Sequence, residues 1–218
     1  MEPSPASPPP GVSPVFWSFL AGERLDDTSV LDVGTGSGRI ALALAPRCRR
    51  VVGIDRDVGV IAEARRRANA LGLANAIFEV ADADAIDYAP FAPGLVTAHL
   101  YMSAALVERA GHALPAGGAL AVVAFHVDQW RETGRVSRFA YDEAGMRKLL
   151  DDHHFGIEEL ELERDERTFA SLEEALAAVI GLEERWRSDG RWVRYLKFLE
   201  NGGRTLTRSH LLVKARRR

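Results

Sequence analysis

Only one cysteine, Cys48, occurs in the 218 residues, which excludes an internal disulfide and a thiolate zinc cluster. It sits in Pro46-Arg47-Cys48-Arg49, which reads as a surface helix end, and a reducing cytoplasm is the expected compartment. An excess of either charge is missing too. Lys and Arg number 28 against 31 Asp and Glu, for a formal net charge of −3, so nothing draws the whole molecule toward nucleic acid or an anionic membrane. The local exception is residues 204–218, which carry six basic side chains and no acid and read as a solvated tail. Long apolar runs are also absent: stretches such as 116–125 fall well short of the roughly 20 residues that span a bilayer. The first fourteen residues hold six prolines but neither a basic segment nor an apolar one. They read as a flexible Pro-rich leader rather than a signal peptide, leaving 15–218 as a single domain.

What is present is an apolar content of 47%, enough for a core, arranged in alternating strand and helix patterns. Apolar runs at 28–33, 50–54, 76–81, 95–100 and 119–125 read as buried strands. Between them lie helix patterns at 40–45, 57–72 and 104–113, and a further one at 141–152. In the second of these, Asp57 is placed to cap and Ile61, Ala64, Ala68 and Leu71 line the core face. Uniformly apolar strands alternating with helices argue a parallel sheet covered on both faces. Two later strands, 157–164 and 209–215, alternate apolar and charged residues and suit a half-exposed antiparallel edge. The segment between them, 171–200, reads as a helical hairpin inserted on a complete sheet. Its apolar faces are Leu176, Val179, Ile180 and Trp186, then Trp192, Tyr195, Leu196 and Leu199. Packing within the domain, covering an acceptor pocket, and forming a homodimer contact are the three uses open to so much aromatic surface.

The most informative stretch is Asp32-Val33-Gly34-Thr35-Gly36-Ser37-Gly38, at the end of the first strand. Glycines there permit a tight turn that a ligand can touch. A dinucleotide fingerprint would need glycine at position 39, where Arg39 stands. Asp32 ahead of the turn would repel a pyrophosphate and attract a cationic amino group.

With these features the sequence resembles the class I S-adenosylmethionine-dependent methyltransferases over roughly 28–125. The resemblance implies a Rossmann-like, seven-stranded, mostly parallel α/β sheet of order 3-2-1-4-5-7-6 with helices on both faces. It implies S-adenosylmethionine as cofactor and S-adenosylhomocysteine as product. Residue by residue, Gly34, Thr35, Gly36 and Gly38 would pass along the methionyl part, and Asp32 would help hold its amino group. Asp55, with Arg56 beside it, ends the second strand where the family accepts the ribose hydroxyls. Asp82 and Ala83 follow the third strand where the family reads adenine.

At the acceptor side the text is Thr97-Ala98-His99-Leu100-Tyr101. No Asn-Pro-Pro-aromatic motif, no cysteine on these strands and no acidic metal set is present there. Amino-methylation of bases, carbon-5 pyrimidine methylation and metal-dependent catechol chemistry are therefore disfavoured, and no metal is expected. His99, which also borders the cofactor, and His126 remain as candidates to deprotonate or orient a nucleophile. The expected activity is methyl transfer to a small-molecule O, N or S nucleophile, with neither a nucleic-acid nor a membrane partner. RNA or protein methylation, or a non-catalytic cofactor- or partner-binding role, stand as alternatives.

Overall fold

The computed structural model describes residues 7–218, so the first six residues of the expected leader lie outside it. The rest of that leader is not loose. The Val12 N–H donates to Pro9 O (3.0 Å), and Val12 is buried in the core. Ser13 Oγ accepts from the N–H groups of Val15 and Phe16 and caps α1 (Pro14–Ala21). Pro14 suits the first helical turn, where an N–H has no partner anyway. The apolar Val12 side chain is the reason the folded chain begins before residue 15.

From α1 the chain alternates β1 (Ser29–Val33), α2 (Arg39–Leu44), β2 (Arg50–Asp55), α3 (Val58–Ala70), β3 (Ala76–Val80), β4 (Leu95–His99), α4 (Ala104–Ala113) and β5 (Ala119–His126). It continues through β6 (Ala140–Tyr141), α5 (Glu143–Asp152), β7 (Phe155–Thr168), α6 (Leu172–Ala177), α7 (Glu183–Asp189), α8 (Arg191–Glu200) and β8 (Thr205–Arg217). Hydrogen bonding orders the strands β3-β2-β1-β4-β5-β8-β7, with the short β6 also paired to β5. Without β6 this is the expected seven-strand order. The pairings among β1 to β5 are parallel.

Asp57 caps α3 as expected, its Oδ1 accepting from Gly59 N (2.7 Å) and Val60 N (3.2 Å). Ile61, Ala64 and Ala68 are buried, whereas Leu71 is 62% exposed because α3 has already ended. Pro46 does not stop the second helix cleanly; it enters a 3-10 turn, Ala45–Arg47.

Where one domain was expected over 15–218, the chain groups into two compact units. The first contains residues up to 124 together with 143–161 and 212–218, and the second contains 125–142 and 162–211. The first unit holds α1 to α5 and the core of Phe16, Leu20, Val30, Leu44, Val51 and Ile61. Its end is not a solvated tail. Lys214 and Arg216 pair with Glu23 at 2.7 and 2.5 Å, Arg216 also with Glu158 (2.7 Å), and Arg218 with Asp151 (2.9 Å). Burial alone would raise the Glu23 carboxyl, but Arg216 and Lys214 hold it below its ordinary value.

The second unit has its own core, in which the aromatic residues of the expected insertion face one another. Trp186 meets Trp130 edge-on at 5.2 Å between ring centres and Tyr195 at 5.5 Å. Val179, Trp192 and Leu199 complete the cluster. The insertion is three helices rather than two, and Ile180, expected in the apolar face, is 71% exposed because it falls in a 3-10 turn between α6 and α7. Among the described residues no helix is long and apolar enough to cross a membrane.

Candidate functional site: a crevice at the strand ends

β1 delivers Asp32 into the interior, with 2% of its surface exposed. Its Oδ2 accepts from Thr35 Oγ1 (2.6 Å) and from Ala41 N in α2 (3.2 Å). Burial pushes this carboxyl up to about 7, against the pull of those two donors, and the charge of Asp55 adds to the rise. Asp32 thus ties the turn between β1 and α2 from beneath.

β2 delivers Asp55 to the other side of the same turn. Its Oδ2 accepts from Gly36 N (3.0 Å) and its Oδ1 from Asp57 N (3.0 Å). Thr35 N donates to Ile54 O (3.0 Å), and Arg67 of α3 holds Ser37 through its carbonyl (2.9 Å) and hydroxyl (3.2 Å). The turn is fixed at almost every residue, with one side of it open. A Cβ built on Gly36, at φ 55°, would meet nothing within 4 Å, whereas one on Gly38, at φ 81°, would lie 2.9 Å from the Phe78 ring. Gly38 is required by the packing of the protein; Gly36 borders empty space.

After β3, Asp82 Oδ1 accepts from Asp84 N (3.0 Å), and Ala83 is buried with its carbonyl accepting from Tyr88 Oη (3.0 Å). These carboxylates occupy the carboxyl ends of parallel strands, the usual place for a ligand in such a sheet. Residues 25–115 match a family model described as a methyltransferase domain.

Two of the curated relatives illustrate what part of the chain is similar to. The 23S rRNA (uracil(1939)-C(5))-methyltransferase of Stenotrophomonas maltophilia is 49% identical over 57 residues, which are 26% of this chain and 13% of that protein. A protein-L-isoaspartate O-methyltransferase of Xanthobacter autotrophicus is 48% identical over 56 residues, 26% of either chain. The chain thus matches only about an eighth of the first relative's length. Among solved structures, magnesium protoporphyrin IX methyltransferase from Synechocystis with bound S-adenosylhomocysteine aligns at TM-score 0.62 and 16% identity, over 94% of this chain and 80% of that one. The fold is shared with these methyltransferases.

The residues of the methyltransferase domain fit S-adenosylmethionine. The open side of Gly36 is a cradle that a Cβ would fill, and Asp55 and Asp82 supply acceptors for the hydroxyl and amino donors of such a ligand. Arg56, expected beside the ribose, is exposed. His99 is half-buried at the end of β4, its ring 5.8 Å from that of Phe16 in α1.

His126 belongs to the second unit and lies within β5 rather than beyond it. Its Nδ1 accepts from Asp128 N (3.3 Å) and lies 2.9 Å from Ser209 Oγ. His210, on β8, has its ring centre 5.8 Å from that of Phe125 and tilted against it, and burial holds its imidazole below the ordinary value.

In the sequence Asp84, like Asp82, reads as a residue that could cap a short turn. Asp84 Oδ1 accepts from Tyr101 Oη (2.8 Å) and Ser103 Oγ (2.5 Å), and its carbonyl accepts from Arg109 Nη2 (2.6 Å). The spacing Asp82-Ala83-Asp84 showed a second acid, and only the fold shows its partners. Among the described residues no group of three or more His, Cys, Asp or Glu is placed to hold a metal.

Proposed function

We propose that this chain transfers a methyl group from S-adenosylmethionine to an O, N or S nucleophile of a small molecule, leaving S-adenosylhomocysteine. The observation that carries the cofactor half is the turn at Gly36, tied by Asp32 and Asp55 and open on one side. The bound cofactor supplies a methyl group already activated on a sulfonium. The chain's own residues then bind, align and shield. Asp55 accepts from the ribose hydroxyls and Asp82 from the adenine amino group, while the Ala83 N–H meets the ring. Asp32 sets the shape of the turn and places its carboxylate beneath the cationic end of the ligand. An in-line displacement of this kind gains most from alignment, and His99 is the residue that takes or orients the proton of the nucleophile.

A small acceptor is supported by the state of the basic residues. Lys214, Arg216 and Arg218, in the basic stretch that could have formed a nucleic-acid surface, are paired with Glu23, Glu158 and Asp151. Cys48 lies buried just ahead of β2, at the strand end opposite the crevice, where it cannot serve as a nucleophile toward a pyrimidine ring. The matched rRNA and protein methyltransferases keep a macromolecular acceptor as the runner-up. Incubation with methyl-labelled cofactor and separate metabolite, RNA and protein fractions tests the proposal. Label in the metabolite fraction supports it, and label in RNA or protein overturns the acceptor class. Bound S-adenosylhomocysteine without turnover on any fraction would make the chain a binding module.

A further inference from the structure

Tyr101 stands two residues after β4, behind Leu100, which adopts φ 60°, a left-handed conformation that costs a non-glycine residue free energy. The strained link throws the Tyr101 side chain back over the glycine turn. A Cβ built on Gly34 would lie 3.0 Å from Tyr101 Cβ and 3.1 Å from its Cγ, so the root of the ring rests directly on the first glycine. From there the side chain runs on to Asp84, where its hydroxyl donates to Oδ1 at 2.8 Å. Asp84 follows β3, and β3 and β4 are separated in the sheet by β2 and β1. One side chain therefore links the loop after β4 to the loop after β3, past the turn at which the cofactor is expected. The anchor is well held. Ser103, which caps α4 through Leu106 N (3.0 Å), donates to the same Asp84 oxygen, and Arg109 grips the Asp84 carbonyl with Nε (3.2 Å) and Nη2 (2.6 Å).

We propose that Tyr101, latched to Asp84, is a gate on the cofactor crevice that sets the rates at which an S-adenosyl ligand enters and leaves. Asp84 is a positioning residue that acts through Tyr101. The inference rests on the cofactor reading above and adds a residue to it. Loosening the latch lets the ring swing off Gly34, which speeds both steps and moves the equilibrium affinity little. A residue that merely walls the bound ligand would change dissociation alone.

Surface plasmon resonance with S-adenosylhomocysteine flowing over the immobilised full chain reads both rates. Tyr101→Phe keeps the ring and removes the hydroxyl. It should raise association and dissociation each by about three- to tenfold, the loss of one hydrogen bond, with Kd within about threefold and the melting temperature unchanged. Ser171→Ala is the contrasting variant: it removes the cap of α6, where Ser171 Oγ accepts from Glu174 N (3.2 Å), and should lower the melting temperature while leaving both rates within twofold. Rates for Tyr101→Phe within twofold of the parent would overturn the gate, as would a change confined to dissociation or equal rate changes in the two variants. If the parent protein binds no S-adenosylhomocysteine at all, the cofactor reading itself fails, an outcome distinct from a parent that binds and a variant that does not differ.

Discussion

Replacing Gly36 and Gly38 by alanine, one at a time, separates what the glycine turn does for the fold from what it does for the ligand. Both residues have positive φ, 55° and 81°, so each alanine bears a left-handed penalty of about 1–2 kcal/mol. At Gly36 that is the whole cost to the protein, because the new methyl meets nothing within 4 Å. At Gly38 the methyl would stand 2.9 Å from two atoms of the Phe78 ring and 3.3 Å from Ala64 Cβ. Phe78 is buried on β3 and Ala64 on α3, so neither can give way freely, and overpacking adds roughly 1–3 kcal/mol. Gly38→Ala should therefore lose about 2–5 kcal/mol in urea unfolding followed by far-UV circular dichroism, and Gly36→Ala only about 1–2 kcal/mol. Calorimetry with S-adenosylhomocysteine should invert the ranking. The Gly36 methyl occupies the open side of the turn and should weaken binding by at least about tenfold, since a ligand that touches backbone tolerates no added atom there. The reasoning is refuted if Gly36→Ala destabilises as much as Gly38→Ala, or if it binds the ligand as tightly as the parent.

Asp55→Ala removes the acceptor at the end of β2 and should cost about 1.5–3 kcal/mol of S-adenosylhomocysteine affinity; an unchanged calorimetric Kd would withdraw Asp55 from the site. Asp32, held at about 7 against an ordinary 3.8, keeps in the folded state a proton that the unfolded chain releases between those values. Its contribution to stability is therefore full below about pH 4 and is lost as pH rises through about 7. Asp32→Asn, neutral at every pH, should lack this decline, so that its unfolding free energy gains on the parent by up to roughly 4 kcal/mol between pH 4 and 8; parallel pH profiles would contradict the assignment. Trp186→Ala opens the centre of the aromatic cluster and should lose about 3–5 kcal/mol, read as an early unfolding step with S-adenosylhomocysteine binding retained. His99→Asn should lower turnover by roughly 10²-fold or more at near-constant cofactor affinity, and a loss below tenfold would make His99 a wall of the crevice.

The parts of this molecule that depend on neighbours in sequence were legible in advance. Period and caps located β1 to β5 and α3, and Asp32, Asp55 and Asp82 stand at the strand ends where spacing put them. What escaped depends on residues far apart in the chain. Arg216 looked solvated because its partner Glu23 lies 193 residues away. Asp84 looked like a turn residue because Tyr101 reaches it only after two intervening strands have been laid down. Trp186 and Tyr195 looked like surplus surface because helical periodicity shows that a face is apolar but not that Trp130, from another segment, will cover it. β6, two residues long, is too short for any periodicity to mark.

The order of the strands has a consequence for how the chain is made. Among the described strands β8 is made after all the others, yet it stands inside the sheet, between β5 and β7. Until β8 leaves the ribosome, the edge of β5 has lost neither its free N–H groups nor its free carbonyls on that side, and β7 has no neighbour to pair with. The nascent protein therefore carries an open, apolar sheet edge for the whole time that residues 127–204 are being translated, several seconds or more at about 5–20 residues per second. Such an edge is a template for pairing with another chain. A ribosome stalled shortly before Thr205 would hold seven of the eight described strands with the sheet unclosed, the form most in need of a chaperone.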